Sequence, residues 1–250
     1  MGISMSDSDA EQAQGLLPDM TDQLTGPYLD LVRTLIPDLA GKVMVFIDWA
    51  YLLNCLNAIR SGTDTGIIDV AKFGAKLVGR RRLIRIYVYD GKIERPPNDM
   101  WRERQAGQQR FEAALAHVPD VEIRWGRLQF TEGRQPRQKG VDVLLSLDML
   151  RFALKSNYDT AILVSGDGDY ADVVRMVKDE GKRVELVAFP ESRSWTLLQA
   201  ADTCVEVDMA FLTDCWRTQV YESAGPGEDG ATQSGGLFGS RWMEQPLRND

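Results

Sequence analysis

Three short stretches of this chain, VMVFI (43–47), AILV (161–164) and VELVAF (184–189), present apolar side chains to both faces of an extended backbone. A strand of that kind has to be covered on both sides, which is the condition of a parallel strand held between two layers of helix. The three belong to a longer series of runs: KVMVFID (42–48), LIRIYVYDG (83–91), VEIRWGRLQF (121–130), TAILVSGD (160–167), RVELVAFP (183–190) and TCVEVD (203–208). The third alternates more than the others and reads as an edge strand. Helical spacing fills the gaps. After Asp169, the residues Tyr170, Val173, Val174 and Val177 fall at i, i+3, i+4 and i+7, and Gly181 is placed to end that helix. Strand, helix, strand in repetition predicts an α/β fold: a three-layer α/β/α sandwich with a mainly parallel central sheet and right-handed crossovers.

The 250 residues suffice for one such domain with tails. Residues 1–25 are polar and aperiodic, a disordered leader. GPYLDLVRTLIPDL then predicts a short helix within 26–40, opened near Pro27 and ended by Pro37. The α/β domain is expected over 41–220. A tail rich in glycine, serine and acid follows over 221–250, where LFGSRWMEQPL keeps apolar residues and suggests docking to a protein partner.

A net charge of −8 argues against a protein that coats nucleic acid, although it leaves room for a local basic groove. Three cysteines, odd in number and without a C-x-x-C pair, point to a reducing, cytoplasmic location and away from a cysteine zinc site. The single histidine, His117, nearly removes mechanisms built on histidine pairs. No apolar run reaches the ~20 residues of a membrane span.

Acid residues carry the chemistry. In a parallel sheet, ligands gather beyond the carboxyl ends of the strands. Asp48 ends the first run, Asp167 ends the fourth, and Asp169 stands where the next helix begins. Asp142 joins them from VDVLLSLDMLRFALK, read as a helix over 141–155. There Asp142 and Ser146 stand apart between apolar sectors, while Asp148 and Arg151 read as a surface i, i+3 pair. Taken singly, each aspartate fits a turn, a cap or a helix dipole. Taken together at one crevice without histidines, they repel unless a cation lies among them, and all-oxygen ligation indicates Mg²⁺ or Mn²⁺. An EF-hand starting at Asp167 fails because Lys178 holds its twelfth position, and no Walker A loop is present.

VMVFID, KGVDVLLSLDML, YDTAILVSGDGDYADVVRMVKDEGKRVELVAF and LLQAADTCVEVD resemble the NYN-domain family, in its LabA-like branch, within the PIN-like nuclease superfamily. The likeness spans roughly residues 42–208, and K-G-V-D joined to S-G-D-x-D-[FY] is far more specific than either motif alone. It implies a PIN-like fold and Mg²⁺- or Mn²⁺-dependent cleavage of RNA, single-stranded RNA above all, with Asp48, Asp142, Asp167 and Asp169 as metal-binding and catalytic residues. One feature departs from the family, whose first aspartate leads D-G-x-N; this chain has DWAYLLN, with Trp49 in the glycine place and Tyr51 in the asparagine place. Trp49 then offers either a stacking surface for a base or simple packing. The rival expectation is an inactive NYN module that binds RNA or scaffolds a protein complex.

Basic residues follow the second and third runs: Arg95, Arg102, Arg104, Arg134, Arg137 and Lys139, with Trp101 among them. These are expected to form a phosphate-binding rim with one stacking aromatic. Arg80–Arg82 precede the second run and belong at the opposite end of the sheet.

Overall fold

The computed structural model describes residues 41–59, 67–131 and 136–217. The leader, the helix expected within 26–40, the C-terminal tail and Arg134 lie outside the described residues.

Among the described residues seven strands form one sheet: β1 (Lys42–Asp48), β2 (Arg82–Lys92), β3 (Val121–Gln129), β4 (Arg137–Lys139), β5 (Thr160–Val164), β6 (Arg183–Ala188) and β7 (Thr203–Glu206). Their order is β4-β3-β2-β1-β5-β6-β7, and every pairing is parallel except β3 with β4. The chain steps outward from β1 to β4 and then returns to the other side of β1 to begin β5. The β1–β5 boundary is therefore where strand order reverses, and a crevice opens at the carboxyl ends of such a pair.

Alternation along the strands builds two cores. Val43, Val45 and Ile47 of β1 pack with Leu52 and Leu56 of α1 (Trp49–Ile59), Phe73 of α2 (Val70–Val78) and Phe111 of α3 (Asp99–Leu115). Met44 and Phe46 face the other way. They join Leu145 and Met149 of α4 (Val141–Leu154) and Val174 and Val177 of α5 (Ala171–Asp179). Among the described residues there are two further short helices, α6 (Trp195–Ala200) and α7 (Met209–Leu212). The result is the expected α/β/α sandwich.

The periodicity after Asp169 holds: Tyr170, Val173, Val174 and Val177 are all buried, and Gly181 leaves the helix at φ +71°. Cys55, Cys204 and Cys215 are free thiols. Among the described residues no helix is long and apolar enough to cross a membrane.

Two expectations need correction. The third run is not an edge strand, because β4 pairs beyond it. This strand is only Arg-Gln-Lys and has no apolar pattern; backbone pairing to β3 and the Gln138–Asp90 hydrogen bond hold it. The polar residues that made β3 resemble an edge face α4 instead. Arg124 pairs with Glu122 at 2.9 Å and approaches Asp148 at 3.7 Å. Asp148 is accordingly no surface residue. It is 5% exposed and accepts from the Tyr89 hydroxyl at 3.2 Å, while Arg151 pairs with it at 2.8 Å. A buried carboxylate needs such partners, and the helical wheel alone could not show which of them the sheet would supply.

Candidate active site

Asp48 is the last residue of β1, and its carboxylate Oδ1 accepts from the backbone N–H of Tyr51 at 3.1 Å, tying the strand end to the first turn of α1. It is 4% exposed. Burial raises its pKa to about 6, and the charges of Asp167 and Asp142 add to the rise against two backbone N–H groups that lower it. Two of the aspartates expected at the crevice therefore act on the third.

Asp167 follows β5 and Ser165. Its Oδ1 accepts from Asp169 N–H at 3.0 Å, capping the short 3-10 turn Gly168–Tyr170. Asp169, inside that turn, is exposed. Asp142 is also exposed and lies in the first turn of α4, two residues after Gly140. Gly140 has φ +76°, a left-handed conformation that glycine adopts without strain, and this aims α4 back across the sheet.

All four carboxylates meet electrostatically at one buried group. Tyr170 is 2% exposed; burial raises the pKa of its phenol, and Asp48, Asp167, Asp142 and Asp169 each raise it further. A fifth acid stands nearby. Asp90 ends the apolar part of β2 and is raised to about 7, chiefly by burial and then by the charge of Asp48, against hydrogen bonds that lower it. Its carboxylate accepts from Gly91 N–H at 2.7 Å and from the Gln138 side-chain amide at 2.7 Å, with Gln108 at 3.4 Å. Asp90 was not among the acids expected here, although its signal is present in the sequence: VYD ends the second run just as FID ends the first.

The wall opposite α1 comes from the loop after β6. Ser194 N–H donates to Gly166 O at 3.0 Å, and a Cβ placed on Gly166 would meet Ser192 O at 1.9 Å and Tyr51 Cε2 at 2.5 Å. Only glycine fits between these two segments. Trp195 follows at the start of α6, 69% exposed. Nothing in its local sequence marks it; its place beside the Asp167–Asp169 turn comes from the fold.

The residues of the departing motif are turned inward. Trp49 is 6% exposed and stacks on Phe111 with centroids 4.6 Å apart, so it packs α1 and has no face left for a base. Tyr51 accepts from the Phe189 backbone N–H through its hydroxyl. Trp101 is corrected likewise. It is 8% exposed, set edge-on to Phe130 at 4.8 Å and covered by the Arg104 guanidinium at 4.5 Å. Arg102 is paired with Asp99. Arg95, Arg137 and Lys139 are exposed at the carboxyl end. Strand register adds Arg127, which was not among the expected rim residues: Lys92, Arg127 and Lys139 lie directly opposite one another across β2, β3 and β4. His117 follows α3 toward the amino end of the sheet, away from the acids.

The donors fit a hard divalent ion in chemistry and in charge, since they are all carboxylates, and burial with neighbouring charge makes the ionisation of Asp48 and Asp90 costly. They do not form a closed shell: among the described residues no group of three or more His, Cys, Asp or Glu side chains could hold a metal ion as it stands.

The model of the NYN domain matches residues 42–208. The chain belongs to the NYN-domain family. This NYN domain has the nuclease-like fold of the PIN-like superfamily. An uncharacterised protein of Sinorhizobium fredii is 36% identical over 100 residues, which cover 39% of this chain and 45% of the relative, so the match spans less than half of that protein. A crystal structure of a protein of unknown function from Vibrio parahaemolyticus superposes with a TM-score of 0.53 at 23% identity, covering 71% of this chain and 96% of the other. That likeness is one of fold.

Proposed function

We propose that this NYN domain is a divalent-metal-dependent ribonuclease that hydrolyses phosphodiester bonds of single-stranded RNA at the aspartate crevice. The supporting observation is the shared pull of Asp48, Asp142, Asp167 and Asp169 on the Tyr170 phenol. So much negative charge around one buried group is tolerable when a cation neutralises it. Asp48, Asp142 and Asp167 would hold Mg²⁺ or Mn²⁺, with Asp169 and Asp90 as the next carboxylates in reach. When bound, such an ion neutralises charge on the scissile phosphate and makes water a better nucleophile near neutral pH.

The chain's own residues would do the rest. Lys139, Arg137 and Arg127 would hold the phosphate backbone along the β3–β4 edge, and Arg95 would reach it from the loop after β2. Lys92 is paired with Glu112 at 3.6 Å, which leaves Arg127 and Lys139, directly opposite one another, as the like charges that a polyanion would separate. Trp195 would stack an unpaired base beside the Asp167–Asp169 turn, the role that the buried Trp49 and Trp101 cannot take. The deciding experiment assays wild type, Asp167→Asn and Asp142→Asn on single-stranded RNA with Mn²⁺ and with EDTA. Cleavage by wild type alone, abolished by EDTA, is expected; equal cleavage by all three would sink the assignment.

A second reading rests on two observations: the carboxylates are not closed into a ligand shell, and Tyr51, in the family's asparagine place, is bound to the Phe189 backbone. On that reading the domain binds RNA or a protein complex without cutting. Its signature is RNA retained in EDTA and never shortened in Mn²⁺.

A further inference from the structure

Helix α4 meets the sheet through Val141, Leu145, Asp148, Met149 and Phe152, all buried. At about 100° per residue, the face directly opposite carries Val143, Leu147, Leu150 and Leu154. On a helix that covers a sheet this outer face is ordinarily polar. Here Val143 is 56% exposed, Leu147 60% and Leu154 61%, with Leu150 half-buried between them. The patch continues onto α5. Lys178 of α5 bonds Ala200 O of α6 at 2.9 Å, which fixes that flank toward α6. Met176, 49% exposed, lies on the other flank, toward α4. An apolar surface of this continuity, on a helix apolar on two opposite faces, has the character of an interface.

We propose that this face joins two copies of the chain, with their α4 helices packed antiparallel about a two-fold axis. The spacing suits a second copy of the same helix. Positions 143, 147, 150 and 154 are separated by 4, 3 and 4 residues, the repeat of a two-helix seam. That series is symmetric about the midpoint between Leu147 and Leu150. A two-fold axis there sets Val143 against Leu154 of the other copy and Leu147 against Leu150, so one surface serves both sides. The antiparallel setting also opposes the two helix dipoles. Arg151, the charged residue beside the seam, is already paired with Asp148 at 2.8 Å and brings no unmatched charge to it.

The full-length protein is tested by sedimentation equilibrium at about 100 µM chain, above the micromolar dissociation constant expected of a seam this small. Wild type is expected at twice the 28.0 kDa chain mass. Val143→Glu and Leu154→Lys place acid in the first turn of α4 and base in its last, both favoured by the helix dipole, so the fold is kept. Each alone is expected to weaken association at least about 100-fold with an unchanged melting temperature, and an equal mixture is expected to recover dimer, since residue 143 of one copy then meets residue 154 of the other. A monomeric wild type overturns the proposal, whether the face is then covered by another segment of the chain or by a different protein. So does a dimer that survives both substitutions. Two monomeric variants that fail to rescue one another overturn the antiparallel register.

Discussion

The hydroxyl of Tyr51 accepts a hydrogen bond of 3.0 Å from the backbone N–H of Phe189, joining the first helix to the end of β6 across the mouth of the acidic crevice. The side chain that replaces the family's asparagine thus braces the wall of the site. Tyr51→Phe keeps the ring and leaves the Phe189 N–H unsatisfied. A loss of about 1–2 kcal/mol is expected, a fall of a few degrees in thermal unfolding. An unchanged melting temperature would remove the brace.

Gly166→Ala attacks the same wall from inside. A methyl there meets Ser192 O at 1.9 Å and Tyr51 Cε2 at 2.5 Å, so either the β6–α6 loop or α1 has to move. The expected cost is ~3 kcal/mol or more in chemical denaturation. Gly181→Ala serves as a comparison, since a methyl there meets no atom within 4 Å and only the φ of +71° is strained.

Asp48, buried, and Asp90, half-buried, set a pH dependence of known sign. Burial and neighbouring charge put Asp48 at about 6 and Asp90 at about 7, well above their unfolded values. Between about pH 4 and pH 7 the folded protein therefore holds protons that the unfolded chain has released, and stability falls as pH rises through that window. In EDTA, Asp48→Asn should flatten part of this fall and melt a few degrees above wild type at about pH 8, corresponding to roughly 1–3 kcal/mol. Wild-type stability that rises from about pH 5 to pH 7 would contradict the assignment.

Trp195→Ala separates stacking from folding. Its ring is 69% exposed, so thermal stability should hold to about one degree while affinity for single-stranded RNA in EDTA falls roughly 5- to 100-fold. Trp49→Ala should show the reverse, because removing a ring stacked on Phe111 costs about 3–5 kcal/mol of stability.

Salt reads the basic row. Arg127→Ala and Lys139→Ala should each reduce the slope of log affinity against log salt by about 0.7, as expected when a single strand has one phosphate fewer neutralised by the protein. Arg102→Ala, whose partner is Asp99, should leave the slope as it is.

Sequence periodicity disclosed the layers because strands covered on both faces cannot hide their composition; β1 and β5 were legible for that reason, whereas their pairing, which brings Asp48 near Asp167, is fixed only by the fold. It could not disclose β4, whose Arg-Gln-Lys has no apolar pattern. Asp148 was misread for a related reason: one helix shows which residues share a sector, but Tyr89 and Arg124 come to it from two strands far off in the chain. The aromatic residues were judged by neighbourhood. Trp49 and Trp101 sit among candidate site residues in sequence yet point into the core, while Trp195 opens a short helix that the fold sets against the Asp167–Asp169 turn.

The hydrogen bond between Gln138 and Asp90 ties the sheet's short margin to an acid of the crevice. Gln138 belongs to β4, and two residues beyond it Gly140 launches the helix that carries Asp142. Lifting that margin would withdraw an amide from one acid and loosen the anchorage of another in a single movement. By reciprocity, whatever neutralises Asp90 changes how firmly Gln138 holds that margin.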